Sequence, residues 1–323
     1  MAEKKRFFYG WLILLTCILI MGLGYAPLVS CASLFTKPVT EDLGFTRSGY
    51  ALVSTIAALM MAFMSPFIGK IMSKPYMHKA LVVCMIGNCL AYYCYSFAST
   101  LPQFYVTAAC IGFFECGSTM IPVSVLITNW FRKKRGLVMS IAMVGSSIGG
   151  TILSPIIGNL IASQGWRFTY KAVGITRLVI LVPLVLLVIR RTPADMGTKA
   201  YGADEEGETG KARKTEREWN VSLKEVKKKP MFWCFVLGCT LISATAAVIT
   251  QIPASVMDAG YATTTAASIA SLYLFIAIPG KLVLGHIYDR YGVKSGILFG
   301  NTMFFLSVVC LIFIKHQPFL YLM

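Results

Sequence analysis

The segment GHIYDRYGVK, residues 285–294, is a short charged turn between two apolar runs that are long enough to cross a membrane. Its glycines, Gly285 and Gly292, permit close helix contact and a tight turn. Asp289 can accept hydrogen bonds from the free amides at the N-terminus of a neighbouring helix, where the helix dipole favours an anion. The segment therefore predicts two packed helices whose connection is fastened to a third.

The composition of the whole chain excludes a soluble protein. Of the 323 residues, 56% are hydrophobic and only 14% are charged, and the mean hydropathy is +0.68. Soluble domains carry about 25% charged residues, and a soluble core of this size cannot hide so much apolar surface. The sequence predicts an all-α integral membrane protein that crosses the bilayer many times.

Apolar runs of about 20 residues, the length needed to cross a bilayer, recur along the chain. The first follows MAEKKR and is longer than the core of a signal peptide, so it is interpreted as a helix. The nine predicted spans are residues 8–36, 48–72, 79–98, 102–129, 137–163, 168–189, 231–257, 265–285 and 295–314.

The basic residues gather on one side of these spans. With the N-terminus placed in the cytoplasm, most of the 30 Lys and Arg residues fall in inside segments: the N-terminus, 70–79, 132–135, 190–229 and 290–294. This is the positive-inside distribution of membrane proteins, and it accounts for the net charge of +16 without nucleic acid. We expect a protein of the cell (cytoplasmic) membrane with its N-terminus in the cytoplasm.

The sequence contains few features that are typical of enzymes. The 10 cysteines lie in apolar runs without a CxxC pair, and the 3 histidines lie at or near segment ends, so we expect neither disulfides nor a metal site. The motifs of serine hydrolases, zinc proteases and phosphate-binding loops are absent from the sequence. The protein is predicted to be a non-enzyme without a cofactor.

Three blocks of sequence resemble the major facilitator superfamily and, within it, the branch of oxalate:formate antiporters and monocarboxylate porters. GHIYDRYGVK is similar to the loop between the second and third helices of each half, NWFRKKRG (129–136) precedes the fifth helix, and GWR (165–167) opens the sixth. The resemblance covers nearly the whole chain and implies two six-helix bundles that rock about a central site.

This resemblance also implies the domain organisation. We expect an N-terminal six-helix bundle over residues 1–190, a cytoplasmic central loop over 191–230, and a partial C-terminal bundle over 231–323. A weak repeat supports the two halves, because KRFFYGW (5–11) opens the first and KKPMFW (228–233) opens the second. The sequence stops inside a further apolar run, HQPFLYLM, so we expect a fragment with about nine of twelve helices.

The resemblance further implies a moving contact between the halves. Asp289 would fasten to the start of the fifth helix near Gly136, and glycines of the fifth helix would slide against the eighth. In the first half the position that matches Asp289 is Ser73, which implies one intact latch and one weakened latch. The residues expected in the moving contact are Gly285, Asp289, Arg290, Gly292, Lys294, Arg135, Gly136, Gly145, Gly149 and Pro155.

The substrate site is predicted from residues on helices that line the central cavity in the superfamily. Lys281 stands where the branch typically carries an arginine facing the cavity; it keeps the charge and loses the bidentate fork. Tyr25, Gln251 and Tyr273 are candidate substrate contacts. The alternatives are that Lys281 extends to the cytoplasmic interface and that the other three serve helix packing.

Two further charges, Glu115 and Arg177, fall near the middle of their predicted spans, where an ionisable group is costly and usually functional. They either pair with each other or leave Glu115 free to carry a proton. The monocarboxylate porters usually carry an aspartate one turn before the cavity arginine, and here that position is Ala277. This difference favours anion exchange over proton symport.

Together these observations predict a secondary transporter that moves a small mono- or dicarboxylate, oxalate- or formate-like, by alternating access. The expected partners are that substrate and the lipid bilayer, with the protein acting as a monomer. Two alternatives stay open: a proton-coupled exporter of other small molecules that uses Glu115, and a non-transporting or degenerate membrane protein.

Overall fold

The structure is a computed structural model that describes residues 8–202, 223–238, 240 and 263–312. Within these ranges the backbone is almost entirely helical, and the one β-bridge pairs Phe131 with Tyr201. Six helical segments of the described residues are long and apolar enough to cross a membrane. The fold is therefore the all-helical membrane architecture that the composition predicts.

The helices follow the predicted spans closely. Helix α1 covers Gly10–Leu43, α2 Arg47–Met72, α3 Met77–Phe97 and α4 Leu101–Trp130. The continuous segment Arg135–Val188 divides at Gly165 into α5 (135–164) and α6 (166–188). Helix α7 is described over 230–238 only, and Thr263–Ile312 divides at Gly292 into α8 (263–291) and α9 (293–312). The full extent of the seventh span, and with it the count of nine, stays a prediction.

Glycine is required at the two points where consecutive helices join without a loop. Gly165 has φ 81° and ψ 165°, and Gly292 has φ 81° and ψ 174°. A residue with a Cβ rarely adopts such backbone angles, because a positive φ brings its Cβ against the backbone. The glycines of GWR and GHIYDRYGVK thus set the turns that antiparallel neighbouring helices need.

Helix α1 departs from regular geometry and from the predicted end at residue 36. Its middle, Ile20–Tyr25, is a π-helical stretch, a form that often marks a functional site because it displaces the backbone hydrogen bonds. Its last part, Ser33–Leu43, stays helical because Phe35 and Val39 are buried while polar side chains face outward. The hydropathy pattern ends where the helix becomes amphipathic, so the sequence places the boundary too early.

The chain divides into two compact units. The first contains residues 1–202 and 274–306, and the second contains 203–273 and 307–323. The first unit has two buried clusters: one surrounds Trp130 and Met72, and the other surrounds Phe104 and Tyr170. The predicted boundaries at residues 190 and 230 stay predictions.

In the described part of the second unit, a turn of helix at Leu223–Val226 precedes α7. The indole Nε1 of Trp233 donates to the carbonyl of Lys227 at 3.0 Å, which fastens the start of α7 to the preceding turn. The rings of Phe232 and Trp233 meet edge to face at 5.5 Å.

The outer surface of the first unit is apolar. Phe63 is 66% exposed and Leu187 is 72% exposed, among many other large apolar side chains. Exposed apolar surface of this extent is unfavourable in water, whereas hydrocarbon chains accept it. The protein is a multi-pass membrane protein.

Candidate functional site

A row of contacts joins the N-terminal half of α5 to α8, and we call this row the α5–α8 seam. It consists of Gly136, Leu137, Ser140, Met143, Ser146, Ser147 and Gly150 on α5, and of Leu274, Lys281, Gly285 and Asp289 on α8. All of these residues belong to the first compact unit.

At one end of the seam, the carboxylate of Asp289 caps the N-terminus of α5. Its Oδ1 accepts from the amide of Gly136 at 3.0 Å, and its Oδ2 accepts from the amide of Leu137 at 2.8 Å. These amides belong to the first turn of a helix and have no carbonyl partner within it, and the helix dipole favours the negative charge there. This is the helix end near which Asp289 was expected.

The middle of the seam is packed too closely for a side chain on Gly285. A Cβ built at Gly285 would lie 2.2 Å from Ser140 Oγ and 3.1 Å from the carbonyl oxygen of Gly136. A Cβ on Gly136 would in turn lie 2.7 Å from Asp289 Oδ1. The two glycines thus let α5 and α8 approach to backbone contact beside the Asp289 cap.

Further along the seam, Lys281 extends across from α8 to α5. Its Nζ donates to the carbonyl of Met143 at 3.0 Å, to Ser146 Oγ at 2.9 Å and to Ser147 Oγ at 2.7 Å. Both serines are buried. These partners begin seven residues after Gly136, on the order of 10 Å into α5 at 1.5 Å per residue, so Lys281 points along the seam rather than to the N-terminal end of α5.

Among the described residues, the charge of Lys281 has no acidic partner. Neutral oxygens satisfy its hydrogen bonds, yet the positive charge stays uncompensated in a part-buried position. Such a cation attracts an anion, because Coulomb attraction is much stronger inside a protein than in water.

The glycines of α5 contact a different helix from the one the resemblance implied. A Cβ on Gly145 would lie 2.3 Å from the carbonyl oxygen of Ile18, and one on Gly149 would lie 2.3 Å from that of Gly22. In this structure they therefore pack against α1, and the expectation that they slide against α8 stays a prediction. The spacing of the glycines identifies a helix face without side chains, but it does not identify the neighbouring helix that packs there.

The remaining candidates have less distinct surroundings. Gly150 does face α8, because a Cβ there would lie 3.2 Å from Leu274 Cδ1. Tyr25 is half-buried at the end of the π-helical stretch. Tyr273 is 42% exposed, and Gln251 lies outside the described residues. Pro155 is exposed on α5.

Basic residues near the turns are exposed. Arg290 is stacked at 5.5 Å from the ring centroid of Tyr291, and Lys294 is exposed at the start of α9. Arg135 folds back on its own loop, with Nε donating to the carbonyl of Phe131 at 2.9 Å.

A second polar cluster lies inside the bundle, around Arg177. One guanidinium nitrogen, Nη2, donates to the carbonyl of Gly24 at 2.9 Å and to Asn88 Oδ1. The guanidinium also lies 5.0 Å from the ring centroid of Tyr92. Gly24 belongs to the π-helical stretch of α1, so the irregular backbone supplies the carbonyl that Arg177 uses.

Glu115 and Arg177 are both buried, with exposed fractions of 6% and 1%. In the part of the chain that the structure describes, however, they form no direct ion pair: Glu115 Oε1 and the Nε and Nη1 of Arg177 have no hydrogen-bond partner. The helix is irregular one turn after Glu115, since Thr119 has φ −121° and ψ −98°. Of the two interpretations left open, direct pairing is not what the structure shows.

Three functional-site residues were missed by the sequence analysis. Ser146 and Ser147 lie between Gly145 and Gly149, of which only the glycines were considered, and Asn88 is a lone amide in the apolar run of α3. Hydroxyls and amides within a membrane span cost free energy unless they find partners. Because of that cost, polar residues within an apolar run could have been identified from the sequence as residues that need partners.

These features define a polytopic helical membrane protein in which a part-buried cation and a helix cap join two helices. A sequence profile of the Major Facilitator Superfamily matches residues 12–323. The match covers nearly the whole chain, and the protein belongs to this superfamily.

Several characterised proteins are similar in sequence. Human monocarboxylate transporter 2 is 24% identical over 229 residues, which are 70% of this chain and 45% of that transporter. The MFS-type transporter pytF of Aspergillus terreus is 26% identical over 209 residues, 64% of this chain and 62% of its own length. Monocarboxylate transporter 4 of Gallus gallus is 26% identical over 170 residues, 51% of this chain and 35% of its own. The chain thus spans less than two thirds of these relatives.

Proposed function

We propose that this protein is a secondary transporter that moves a small organic anion, a mono- or dicarboxylate, across the cytoplasmic membrane by alternating access. The observation that carries the proposal is the ammonium of Lys281, which extends from α8 to neutral oxygens of α5 and pairs with no carboxylate in the described part of the chain. A single cation among neutral oxygens is suited to one carboxylate group. The monocarboxylate transporters among the relatives support the same substrate class.

The seam supplies the moving contact. Asp289 and Lys281 each join α5 to α8 through polar bonds that can break and reform. Rocking of one half against the other is how transporters with repeated halves expose a midplane site to either side. The function therefore needs a seam that is closed in one state and open in the other.

Exchange of one anion for another is favoured over proton symport. Ala277 lies one turn before Lys281 and offers no carboxyl group that would take up a proton with the substrate. Charge balance at Lys281 is then restored by each anion in turn. The distribution of Lys and Arg residues favours a cytoplasmic N-terminus for a protein working in this way.

The test is uptake of labelled formate, oxalate and lactate into proteoliposomes that contain the full-length protein. Lys281→Ala should abolish saturable uptake, and Lys281→Arg should retain part of it because the charge is kept. Lys74→Ala, which removes an exposed charge in the turn after α2, is the matched control and should transport normally. Unchanged uptake by Lys281→Ala would overturn the proposal.

A second candidate function is proton-coupled export of other small molecules, and the observation that favours it is the buried, unpartnered Oε1 of Glu115. A carboxyl group that lacks a direct ion pair in a low-dielectric interior holds a proton more readily. Under this alternative, Glu115→Gln abolishes the response of transport to an imposed pH gradient. Under carboxylate exchange, the same variant keeps exchange at equal pH on both sides.

A further inference from the structure

The ammonium of Lys281 is fully hydrogen-bonded, and all three partners belong to α5. An ammonium group has three N–H donors, and the structure supplies three acceptors, the carbonyl of Met143 and the hydroxyls of Ser146 and Ser147, at 2.7–3.0 Å. A carboxylate substrate that binds this ammonium must therefore replace at least one of these oxygens.

The replacement is favourable on chemical grounds. A hydrogen bond between two ionised groups is about twice as strong as one that involves neutral partners only. Hydroxyl and carbonyl oxygens leave the positive charge uncompensated, whereas a carboxylate neutralises it. The displaced Ser146 hydroxyl already donates to the carbonyl of Met143 at 2.8 Å, so it keeps a partner within its own helix.

The same three bonds hold two helices together. They lie on the α5–α8 seam with the backbone contact of Gly285 and the Asp289 cap. Lys281 and Asp289 are eight residues apart on α8, which corresponds to about 12 Å along the helix. Release of Lys281 from α5 thus removes one of the two polar attachments along this seam and leaves the Asp289 cap to hold it alone.

We infer that Ser146 and Ser147 are the ligands of Lys281 when no substrate is bound, and that a substrate carboxylate displaces them and so releases α8 from α5. The inference rests on the proposed carboxylate transport and adds to it the link between binding and movement. The two serines are positioning residues: they act on the substrate through Lys281, by competing for it.

A consequence concerns the empty protein. Without substrate, Lys281 stays bound to α5 and the seam stays closed, so the empty carrier reorients slowly. With substrate, the attachment is lost and the carrier reorients faster. Exchange of internal for external substrate is then faster than net movement in one direction, because net movement requires the empty carrier to return.

The experiment compares the wild type with the double variant Ser146→Ala/Ser147→Ala in proteoliposomes. Two quantities are measured for formate and oxalate: the half-saturation concentration, and the ratio of net uptake into empty vesicles to exchange in preloaded vesicles. Loss of the competing hydroxyls should lower the half-saturation concentration and raise the ratio, each by about tenfold, because hydrogen bonds to charged groups contribute on this scale.

Three further variants test whether the effect is specific to the hydroxyls of Ser146 and Ser147. Ser163→Ala removes an exposed hydroxyl of α5 that bonds only within its own helix, to Asn159 at 2.8 Å, and should leave both quantities unchanged. The single variant Ser147→Ala retains Ser146 and should give an intermediate effect. Ser147→Thr keeps the hydroxyl and should restore values close to those of the wild type. Size-exclusion profiles confirm that each variant is folded.

The outcomes distinguish a failure of the inference about Ser146 and Ser147 from a failure of the proposed transport function. If the wild type transports and Lys281→Ala does not, but the double serine variant leaves both quantities unchanged, the inference is overturned and the transport function stands. A higher half-saturation concentration in the double variant also overturns it, because the serines then bind substrate instead of competing with it. If the wild type transports no carboxylate, the proposed function and the inference are both overturned.

Discussion

Asp289 of α8 and Gly136 of α5 lie in hydrogen-bond contact, with 3.0 Å between Oδ1 and the amide nitrogen, although 153 residues separate them in the chain. The contact works because one partner is an anion and the other is an unpaired amide at a helix N-terminus. It also requires a glycine, since a Cβ on residue 136 would lie 2.7 Å from the same oxygen.

Asp289→Asn should weaken this cap. The substitution keeps the shape of the side chain but removes the charge and turns one oxygen into an amino group that faces an amide N–H. We expect a loss of about 1 kcal/mol from the closed seam, seen as faster labelling of Ser140→Cys by a water-soluble maleimide added to the purified protein. Protein without the introduced cysteine gives the background. An unchanged labelling rate would show that Asp289 does not hold the seam.

A side chain on Gly149 should separate α1 from α5. Gly149→Val would place its Cβ 2.3 Å from the carbonyl oxygen of Gly22, a backbone atom that cannot rotate away. Overpacking of this kind costs about 1–3 kcal/mol, so the melting temperature of the purified protein in detergent should fall.

The matched control for that prediction is Gly158→Ala, also on α5, where a Cβ meets nothing within 4 Å. Because alanine is a better helix former than glycine, this control should leave the melting temperature unchanged or raise it slightly. Equal effects of the two substitutions would contradict the close approach of α1 and α5.

The turn at Gly292 provides a third prediction. Its φ of 81° and ψ of 174° suit glycine and strain any other residue, so Gly292→Ala should cost about 1–3 kcal/mol. Gly280→Ala, at a helical position on α8 with nothing within 4 Å of the added Cβ, is the control. Thermal unfolding monitored by circular dichroism measures both. The prediction fails if the two variants unfold at the same temperature.

Asp42 connects the end of α1 to the start of α6. Its Oδ2 accepts from Trp166 Nε1 at 3.0 Å and from Arg167 Nη1 at 2.6 Å. Asp42→Ala leaves the indole N–H without its acceptor and should lower the melting temperature by a few degrees, less so at high salt because the ion pair is exposed.

The neighbouring Glu41→Ala serves as control for Asp42→Ala. Glu41 makes only an exposed pair with Lys37, at 3.8 Å one turn away on the same helix. Pairs of this kind contribute little, so its removal should leave the melting temperature unchanged. A similar drop for both variants would indicate a general effect of acidic charge at this end of α1 instead of a specific attachment.

Much of the fold was predictable because few backbone structures can span a bilayer. A span needs about 20 apolar residues and internal hydrogen bonds, so the boundaries of α2 to α6 could be predicted to within a few residues. The turns at Gly165 and Gly292 were predictable for a similar reason, since charged or polar residues flank a glycine between two apolar runs. The contact of Asp289 with the start of α5 could be expected because its partner is a helix end, which the sequence locates; its part in a moving contact stays a prediction.

Contacts between helix faces were harder to predict, because hydropathy gives the depth of a residue and not the direction in which it points. Glu115 and Arg177 fall at similar depth, which suggested a pair, yet Arg177 turns to Asn88 and Gly24. The carbonyl of Gly24 belongs to the π-helical stretch of α1, and no sequence pattern predicted that stretch. Ser146 and Ser147 were missed for the same reason, because hydropathy does not show toward which neighbour a side chain of α5 points.

The last prediction distinguishes the two neighbours of Arg177 by double-mutant cycles on the free energy of unfolding. Arg177→Leu combined with Asn88→Ala should show strong coupling, because the two side chains share a buried hydrogen bond and truncating either one leaves the other unpaired. Arg177→Leu combined with Glu115→Gln should show weaker coupling, since no direct bond joins them and their charges act only through space. We expect a difference of about 1 kcal/mol or more between the two cycles. Stronger coupling to Glu115 would mean that Glu115 and Arg177 pair directly in the membrane and that the amide of Asn88 is the lesser partner.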